Sequence, residues 1–184
     1  MTPRDDVERR ASALAERFDF RSIAPGEAEE AARVEAVCFP PNEACSRERM
    51  LARTATAPET FLVAIERATG RMAGFVDGIA TDETVLRDEF FTDASLHRPD
   101  GRAVMILGVD VLPEFRRQGL AREMLRRYSL REAQRGRRML VLTCLDDKVG
   151  MYERMGFRDR GESASAWGGE RWHEMDMPLN GPTD

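Results

Sequence analysis

Apolar positions change their spacing several times along the chain, and each change marks an element. Residues 5–17, DDVERRASALAER, carry a sparse apolar face of Val7, Ala11 and Leu14, which predicts a short charged helix. A strand over 18–23 follows, then a turn at Pro25-Gly26. Residues 27–39 set Ala31, Val34, Val37 and Cys38 at helical spacing, with acidic residues in the first turn where the helix dipole favours them. Pro40-Pro41 stops that helix, and Ser46 caps a second over 47–56.

Strand patterns come next. Residues 60–66 (TFLVAIE) and 72–80 (MAGFVDGIA) flank the turn Ala68-Thr69-Gly70 and predict a hairpin. Residues 81–102 are acidic and poorly periodic, the pattern of a long functional or mobile loop. Residues 103–112 (AVMILGVDVL) form a nearly continuous apolar run, as expected of a strand buried on both faces. A helix over 119–134, a buried strand over 138–144 and a short helix over 148–155, ended by Gly156, come after it. Residues 157–164 and 171–177 close the chain as a hairpin across Gly168-Gly169. The order β-α-α-β-β-β-α-β-α-β-β predicts a mixed α/β sheet with its parallel crossovers in the middle.

Composition narrows the class. With 184 residues, 42% of them apolar, the chain is expected to build one domain with a real core. The expected division is a helical extension over 1–17, the domain over 18–178 and a tail over 179–184. A net charge of −5 argues against a nucleic-acid partner and suits, weakly, a cationic substrate. No apolar run approaches the ~20 residues of a membrane span, and the first residues lack a signal-peptide core. Cys38, Cys45 and Cys144 show no zinc-type spacing and the chain has two histidines, His97 and His173, so neither a metal nor a disulfide framework is expected. These features predict a cytoplasmic protein with reduced thiols and no membrane partner.

Chemistry concentrates in Val109–Ala121, VDVLPEFRRQGLA. A buried strand ends at Pro113 and a helix starts near Gly119, offering unpaired N–H groups and a positive dipole end, which together make an anion site. Gly119 lets a phosphate approach the backbone, and Arg116 and Arg117 add cationic groups. The absence of a Lys-Ser/Thr pair after the glycine excludes the nucleotide-hydrolase P-loop.

Arg116-Arg117-Gln118-Gly119-Leu120-Ala121 resembles the R/Q-x-x-G-x-G/A loop with which GNAT acetyltransferases hold the pyrophosphate of coenzyme A. About thirty residues on, Tyr152-Glu153-Arg154-Met155-Gly156-Phe157 resembles the same family's YExxGF element. Ser95–Gly101 (SLHRPDG), Cys38-Phe39 with Glu43-Ala44, and Trp172-His173-Glu174-Met175 resemble segments of its serotonin (arylalkylamine) N-acetyltransferase branch. The likeness covers about residues 18–178. It implies a GNAT-like mixed, mostly antiparallel sheet with a splayed parallel pair, flanked by helices. It also implies acetyl-CoA as co-substrate, without a metal. Val109, Asp110 and Val111 would offer main-chain groups to the donor's arm, and Arg116, Arg117, Gln118, Gly119, Leu120, Ala121 and Arg122 would surround its pyrophosphate.

Acyl transfer from a thioester to an amine needs a polarised carbonyl, a base for the ammonium and an acid for the leaving thiolate. Tyr152 matches the family's general acid, protonated at neutral pH without special tuning. The base departs from the branch, because the positions of its two strand histidines hold Met105 and Leu107. Glu43, in the loop of the acceptor wall, matches a glutamate used as base in insect relatives and is the expected replacement. Asp110, alone in an apolar strand, is expected to be structurally paired. Simple alternation turns it away from Met105, Leu107 and Val109 unless a bulge near Gly108 resets the register. Asp110 and Glu35 are the other carboxylates that could replace the base. Glu35 could reach the cleft from the first helix but is expected at the surface, and a water chain to bulk solvent could also serve. The acidic residues Asp82, Glu83, Asp88, Glu89 and Asp93 read as solvated charges that could also draw a cationic amine, beside Phe90 and Phe91. His97 reads as structural, and Trp167 and Trp172 as lining a pocket or an interface.

The expected activity is acetyl transfer to a primary amine, a small arylalkylamine above all. A protein or peptide acetyltransferase and a non-catalytic acyl-CoA-binding regulatory module are the alternatives. A homodimer is compatible with either.

Overall fold

The structure, a computed structural model, describes residues 3–180, so the outermost residues of the predicted extension and tail (1–2 and 181–184) lie outside it. Among the described residues seven strands form one sheet: β1 (Phe18–Ser22), β2 (Phe61–Glu66), β3 (Met72–Thr81), β4 (Ala103–Val111), β5 (Met139–Cys144), β6 (Arg158–Glu162) and β7 (His173–Pro178). Their spatial order is β1-β2-β3-β4-β5-β7-β6. Every neighbouring pair is antiparallel except β4–β5. The predicted mixed, mostly antiparallel sheet with one parallel pair is therefore the observed one.

Six α-helices accompany the sheet among the described residues: α1 (Pro3–Arg17), α2 (Ala28–Cys38), α3 (Arg47–Thr56), α4 (Glu89–Thr92), α5 (Leu120–Gln134) and α6 (Val149–Glu153). Consecutive residues of β3 show which helices lie on which face, since a strand alternates sides. Asp77 turns toward α3, whose Arg53 donates to it, whereas a Cβ at Gly78 would sit 3.0 Å from the Tyr128 hydroxyl of α5. The core is thus divided by the sheet, with α2 and α3 on one side and α5 on the other. Leu120, Met124, Leu125 and Tyr128 bury one stripe of α5, and Tyr128 donates its hydroxyl to the Thr60 carbonyl at 2.9 Å.

Local chemistry sets the helix ends. Ser46 accepts from the Arg49 N–H at 3.3 Å and starts α3, as its sequence predicts. Before α2, the Glu27 carboxylate accepts from the Ala24 N–H at 2.8 Å and pairs with Arg21. Gly156 takes a φ of 101° after α6, the left-handed conformation that closes a helix at low cost for glycine.

Residues 81–102 are more ordered than their composition predicts. Leu86 and Phe90 are buried in a second apolar cluster with Ala57, Ile79, Ala103, Met105 and Val141. Two apolar anchors, too few to show a period, hold this segment to the sheet. Several of its acids serve locally: Glu83 pairs with Arg87, Asp93 accepts from Ser95, Asp82 accepts from the Arg102 N–H, and Asp88 accepts from Ser165 and the Ala166 N–H. His97 is structural, accepting from the Ala80 N–H at 3.2 Å and facing Glu59 at 2.5 Å.

The helix α1 docks by its C-terminal end. Leu14 is buried while Val7 stays exposed. Arg17 pairs with Glu66 and lies over the Phe18 and Phe115 rings at 5.0 and 5.3 Å.

Candidate functional site

The centre of the sheet is open. β4 and β5 pair only where Ala103, Val104 and Met105 face Met139, Leu140 and Val141. β5 stays with β7 as far as Cys144, so from Ile106 to Val111 the β4 edge has no strand partner on that side. Backbone N–H and C=O groups along such an edge demand partners, and an extended polar chain laid into the gap supplies them.

A bulge in β4 decides what faces the helices. On β3, Asp77 pairs with Gly108 but the next residue, Gly78, pairs with Ile106, which leaves Leu107 out of register. The extra residue reverses the alternation beyond it. Asp110 is therefore brought to the face of Met105 and Ile79, under α2, instead of the opposite one. Gly108 makes this possible, since a Cβ there would lie 2.6 Å from Asp77 Oδ1 and 2.8 Å from Asp110 Oδ1.

The loop after β4 reaches α5 through two left-handed residues, Arg117 at φ 59° and Gly119 at φ 87°. A Cβ at Gly119 would meet nothing nearer than Leu14 Cδ1 at 4.0 Å, so backbone conformation rather than crowding asks for glycine. No side chain caps α5, and the first N–H of its ladder belongs to Glu123, which bonds the Gly119 carbonyl at 3.0 Å. The N–H groups of residues 119–122 are left for an anion. Arg117 and Arg122 make no ion pair among the described residues and border this helix start. Arg116 does something else: its Nε donates to the Val111 carbonyl at 2.8 Å, which holds the loop against its own strand. Gln118 is tied back as well, accepting from Arg17 at 2.7 Å and donating to the Glu114 carbonyl at 3.1 Å. Leu120 is buried and Ala121 half-buried against the core. This donor set fits a diphosphate, and the open β4 edge fits an amide-bearing arm.

Tyr152, on α6, packs edge-to-face on Phe157 with ring centroids 5.7 Å apart. Burial raises its pKa, and negative charge at Cys144 and Asp110 adds to the shift. It is a phenol that keeps its proton until a strong base, such as a leaving thiolate, takes it.

On the α2–α3 face two loops meet. The Asn42 amide donates to the Gly168 carbonyl at 2.9 Å, and Trp167 Nε1 donates to the Glu43 carbonyl at 2.8 Å. Trp172 Nε1 donates to the Trp167 carbonyl at 2.9 Å, and Trp167 stacks on Phe91 at 4.8 Å. The Glu43 side chain lies against Gly168, and burial with the nearby Glu170 raises its pKa. A crevice of about 320 Å³ lined by Asp146, Glu162, Arg171, Trp172 and His173 shares Trp172 with this mouth. A larger one, about 510 Å³, lies at the opposite end of β4 beside Ala103 and Met139, where the strands still pair.

Beneath the loops lies a group of acids that simple alternation hides. Asp77 and Asp110 are fully buried, and Glu35 is 3% exposed rather than on the surface. Arg53 Nη1 donates to Asp77 Oδ2 at 2.6 Å, and Glu35 Oε1 accepts from the Cys45 N–H at 2.8 Å. Glu35, on α2, and Asp110, on β4, are close enough to influence each other's titration. The structural partner expected for Asp110 is absent among the described residues, and Arg53 is bonded to Asp77 instead. Asp110 Oδ1 and Oδ2, Asp77 Oδ1 and Glu35 Oε2 have no donor among the described residues. Burial first, then mutual repulsion, pushes the Asp110 carboxyl well above the usual range. Glu35 is raised too, by burial above all. Cys45, also buried nearby, is pushed up to about 11. Among the described residues no group of three or more side chains could hold a metal ion, and no helix is long and apolar enough to cross a membrane.

Comparison with known proteins bears on this geometry. The acetyltransferase (GNAT) domain family matches residues 57–159. The serotonin N-acetyltransferase of Mesocricetus auratus is 34% identical over 111 residues, which are 60% of this chain and 52% of the relative. The chain thus matches about half the length of that relative. Among solved structures, the GphF GNAT-like decarboxylase in complex with isobutyryl-CoA superposes with a TM-score of 0.75 at 20% identity, covering 88% of this chain and 100% of that one. The structure of yncA from Salmonella typhimurium with its cofactor acetyl-CoA superposes with a TM-score of 0.61 at 16% identity, over 91% and 96% of the two chains. Both share the fold.

Two predictions follow from the buried acids. Arg53→Met removes the cation paired with Asp77 and should destabilise the protein by about 3–5 kcal/mol in denaturant titration; a loss below about 1 kcal/mol would contradict the ion-pair assignment. The second concerns pH. Because the folded pKa values of Glu35 and Asp110 lie above their unfolded ones, their contribution is fully present at acid pH and is lost as pH rises through the folded values. Asp110→Asn should therefore gain stability relative to the natural chain as pH is raised from the ordinary carboxylate range, and a pH-independent difference would refute the shift.

Proposed function

The chain belongs to the GNAT acetyltransferase family, and on that premise we propose that it moves an acetyl group directly from acetyl-CoA to the primary amine of a small arylalkylamine. One observation carries this reading: the unpaired β4 edge leads straight into an uncapped helix start. Main-chain groups of Val109 and Val111 receive the pantetheine arm, while those of Asp110 turn to β3. The N–H groups of Gly119, Leu120, Ala121 and Arg122, with the Arg117 and Arg122 guanidiniums, receive the pyrophosphate. Arg116 and Gln118 support the loop from behind through Val111, Arg17 and Glu114. Bound there, acetyl-CoA supplies an activated carbonyl whose sulfur departs as a thiolate.

Tyr152 is the acid that protonates that thiolate, and its raised pKa keeps the proton in place beforehand. On the acceptor side, the stacked Phe91 and Trp167 offer a flat aromatic wall and Glu43 a carboxylate at the rim, which suits an aromatic body carrying an ammonium. The three cysteines are unpaired, and Cys45 and Cys144 are buried with raised pKa values, which supports a reducing, cytoplasmic setting over a catalytic thiol.

Isothermal titration should show acetyl-CoA binding that Gly119→Val weakens by at least about tenfold, since valine resists the left-handed conformation at that position. Tyr152→Phe should leave that affinity intact and lower kcat roughly 10²-fold in a thiol-release assay with tryptamine-like amines. Lack of acetyl-CoA binding by the unmodified chain would overturn the reading, and binding without release on any amine would leave an acyl-CoA sensor instead.

A further inference from the structure

The turn before α5 is an unfavourable piece of backbone that has to be held in place. Arg117, at φ 59°, lies in the left-handed region that residues other than glycine seldom adopt, and Gly119 follows at φ 87°. Between them stands Gln118, whose side chain is gripped at both ends. Its amide donates to the Glu114 carbonyl at 3.1 Å, four residues back, and its oxygen accepts from Arg17 Nη1 at 2.7 Å. The first contact closes the turn on itself. The second ties it to α1, 101 residues away in sequence.

Arg17 is placed to keep that grip. Its Nε and Nη2 both donate to Glu66 Oε1, at 3.1 and 2.8 Å, and its guanidinium covers the Phe18 and Phe115 rings. Glu66 ends β2 and accepts from the Thr69 hydroxyl at 2.8 Å. The Arg17 carbonyl accepts from the Arg67 N–H at 2.9 Å, so backbone and side chain lock onto the same hairpin. From that hairpin Arg71 reaches Glu114 at 2.8 Å, the residue that receives the other end of Gln118. With 45% of the Arg17 side chain exposed, its ion pair adds little stability. What the planar guanidinium supplies here is direction, with two N–H groups on Glu66 and one on Gln118 in a fixed fork. Leu14, one turn earlier, is buried and is the side chain nearest Gly119.

We propose that Arg17 is a positioning residue for donor binding, and that the docking of α1 and the binding of acetyl-CoA strengthen each other. The proposal rests on the acetyl-transfer reading. Held by Arg17, Gln118 keeps the strained turn in the one conformation that aims the N–H groups of residues 119–122 at a pyrophosphate. Without the clamp the turn has to be ordered as the ligand arrives, and that ordering subtracts from the affinity. Linkage makes the effect mutual: the factor by which docked α1 raises the affinity for acetyl-CoA is the factor by which acetyl-CoA favours docked α1.

Hydrogen exchange read by mass spectrometry tests the brace without ligand. Arg17→Met should speed exchange in peptides covering 115–122 at least about fivefold and leave β5 and β7 unaltered. In the natural chain acetyl-CoA should slow exchange across α1, and Arg17→Met should abolish that protection. In titration calorimetry Arg17→Met and Gln118→Met should each weaken acetyl-CoA binding roughly tenfold. The double variant should lie within about twofold of Gln118→Met alone, because both changes cut one clamp. S-acetylpantetheine, which lacks the pyrophosphate, separates positioning from a general loosening of the fold. The kcat/KM preference for acetyl-CoA over it should fall roughly tenfold in Arg17→Met. An unchanged preference, additive losses in the double variant, or unaltered exchange at 115–122 would each overturn the proposal. If the unmodified chain binds no acetyl-CoA while Arg17→Met still loosens 115–122, the transfer reading and the coupling both fall and only the brace stands.

Discussion

β4 is held along its whole length by β3 but by β5 only as far as Met105. A strand buried in the middle of a sheet normally satisfies both edges, and the unmet half here is a standing demand for hydrogen-bond partners. The rest of the functional architecture is arranged around that gap. β5 parts from β4 after Val141 while staying paired with β7 through Cys144, and α6, one short turn beyond that end of β5, sets Tyr152 near Cys144 and Asp110. The open edge of β4 runs into the turn that starts α5, so one continuous stretch of backbone offers amide groups first to an extended chain and then to an anion.

The same strand carries a second constraint. The bulge at Leu107 exchanges the faces of everything after it, so an acid that alternation would direct toward α5 arrives under α2. Three buried carboxylates then meet one arginine. A structure built for stability alone would satisfy them or replace them with apolar side chains, because unpaired buried acids are costly. The cost is borne next to the open edge, and unsatisfied polar groups of this kind gather at sites that do chemistry.

The N-terminal helix contributes to the site from outside the sheet. Arg17 reaches Gln118 in the loop before α5 and stacks over Phe18 and Phe115, and Leu14 is the side chain nearest Gly119. A segment whose composition reads as an appendage thus braces the turn that presents the helix start. On the acceptor side a comparable brace joins two distant loops through Asn42, Glu43, Trp167 and Gly168.

Much of this was legible in the residues themselves. The element order, the cap at Ser46, the glycine after α6 and the anion-binding character of the turn at Gly119 all follow from local rules of spacing, capping and backbone conformation. Those rules act over a few residues, so a single chain displays them. What tertiary structure alone decided depends on pairing across the fold. The side to which Asp110 points follows from a one-residue slip against β3, and the burial of Glu35 follows from α2 lying over that slip. Arg116 turns to the Val111 carbonyl rather than outward, and two buried residues, Leu86 and Phe90, order an acidic segment. An isolated sequence gives a charged side chain no address, because its partner is fixed by contacts between residues far apart along the chain. The turn at Gly119 is therefore readable from sequence, whereas the arrangement of buried charge beside β4 is set by which strands part and where one of them bulges.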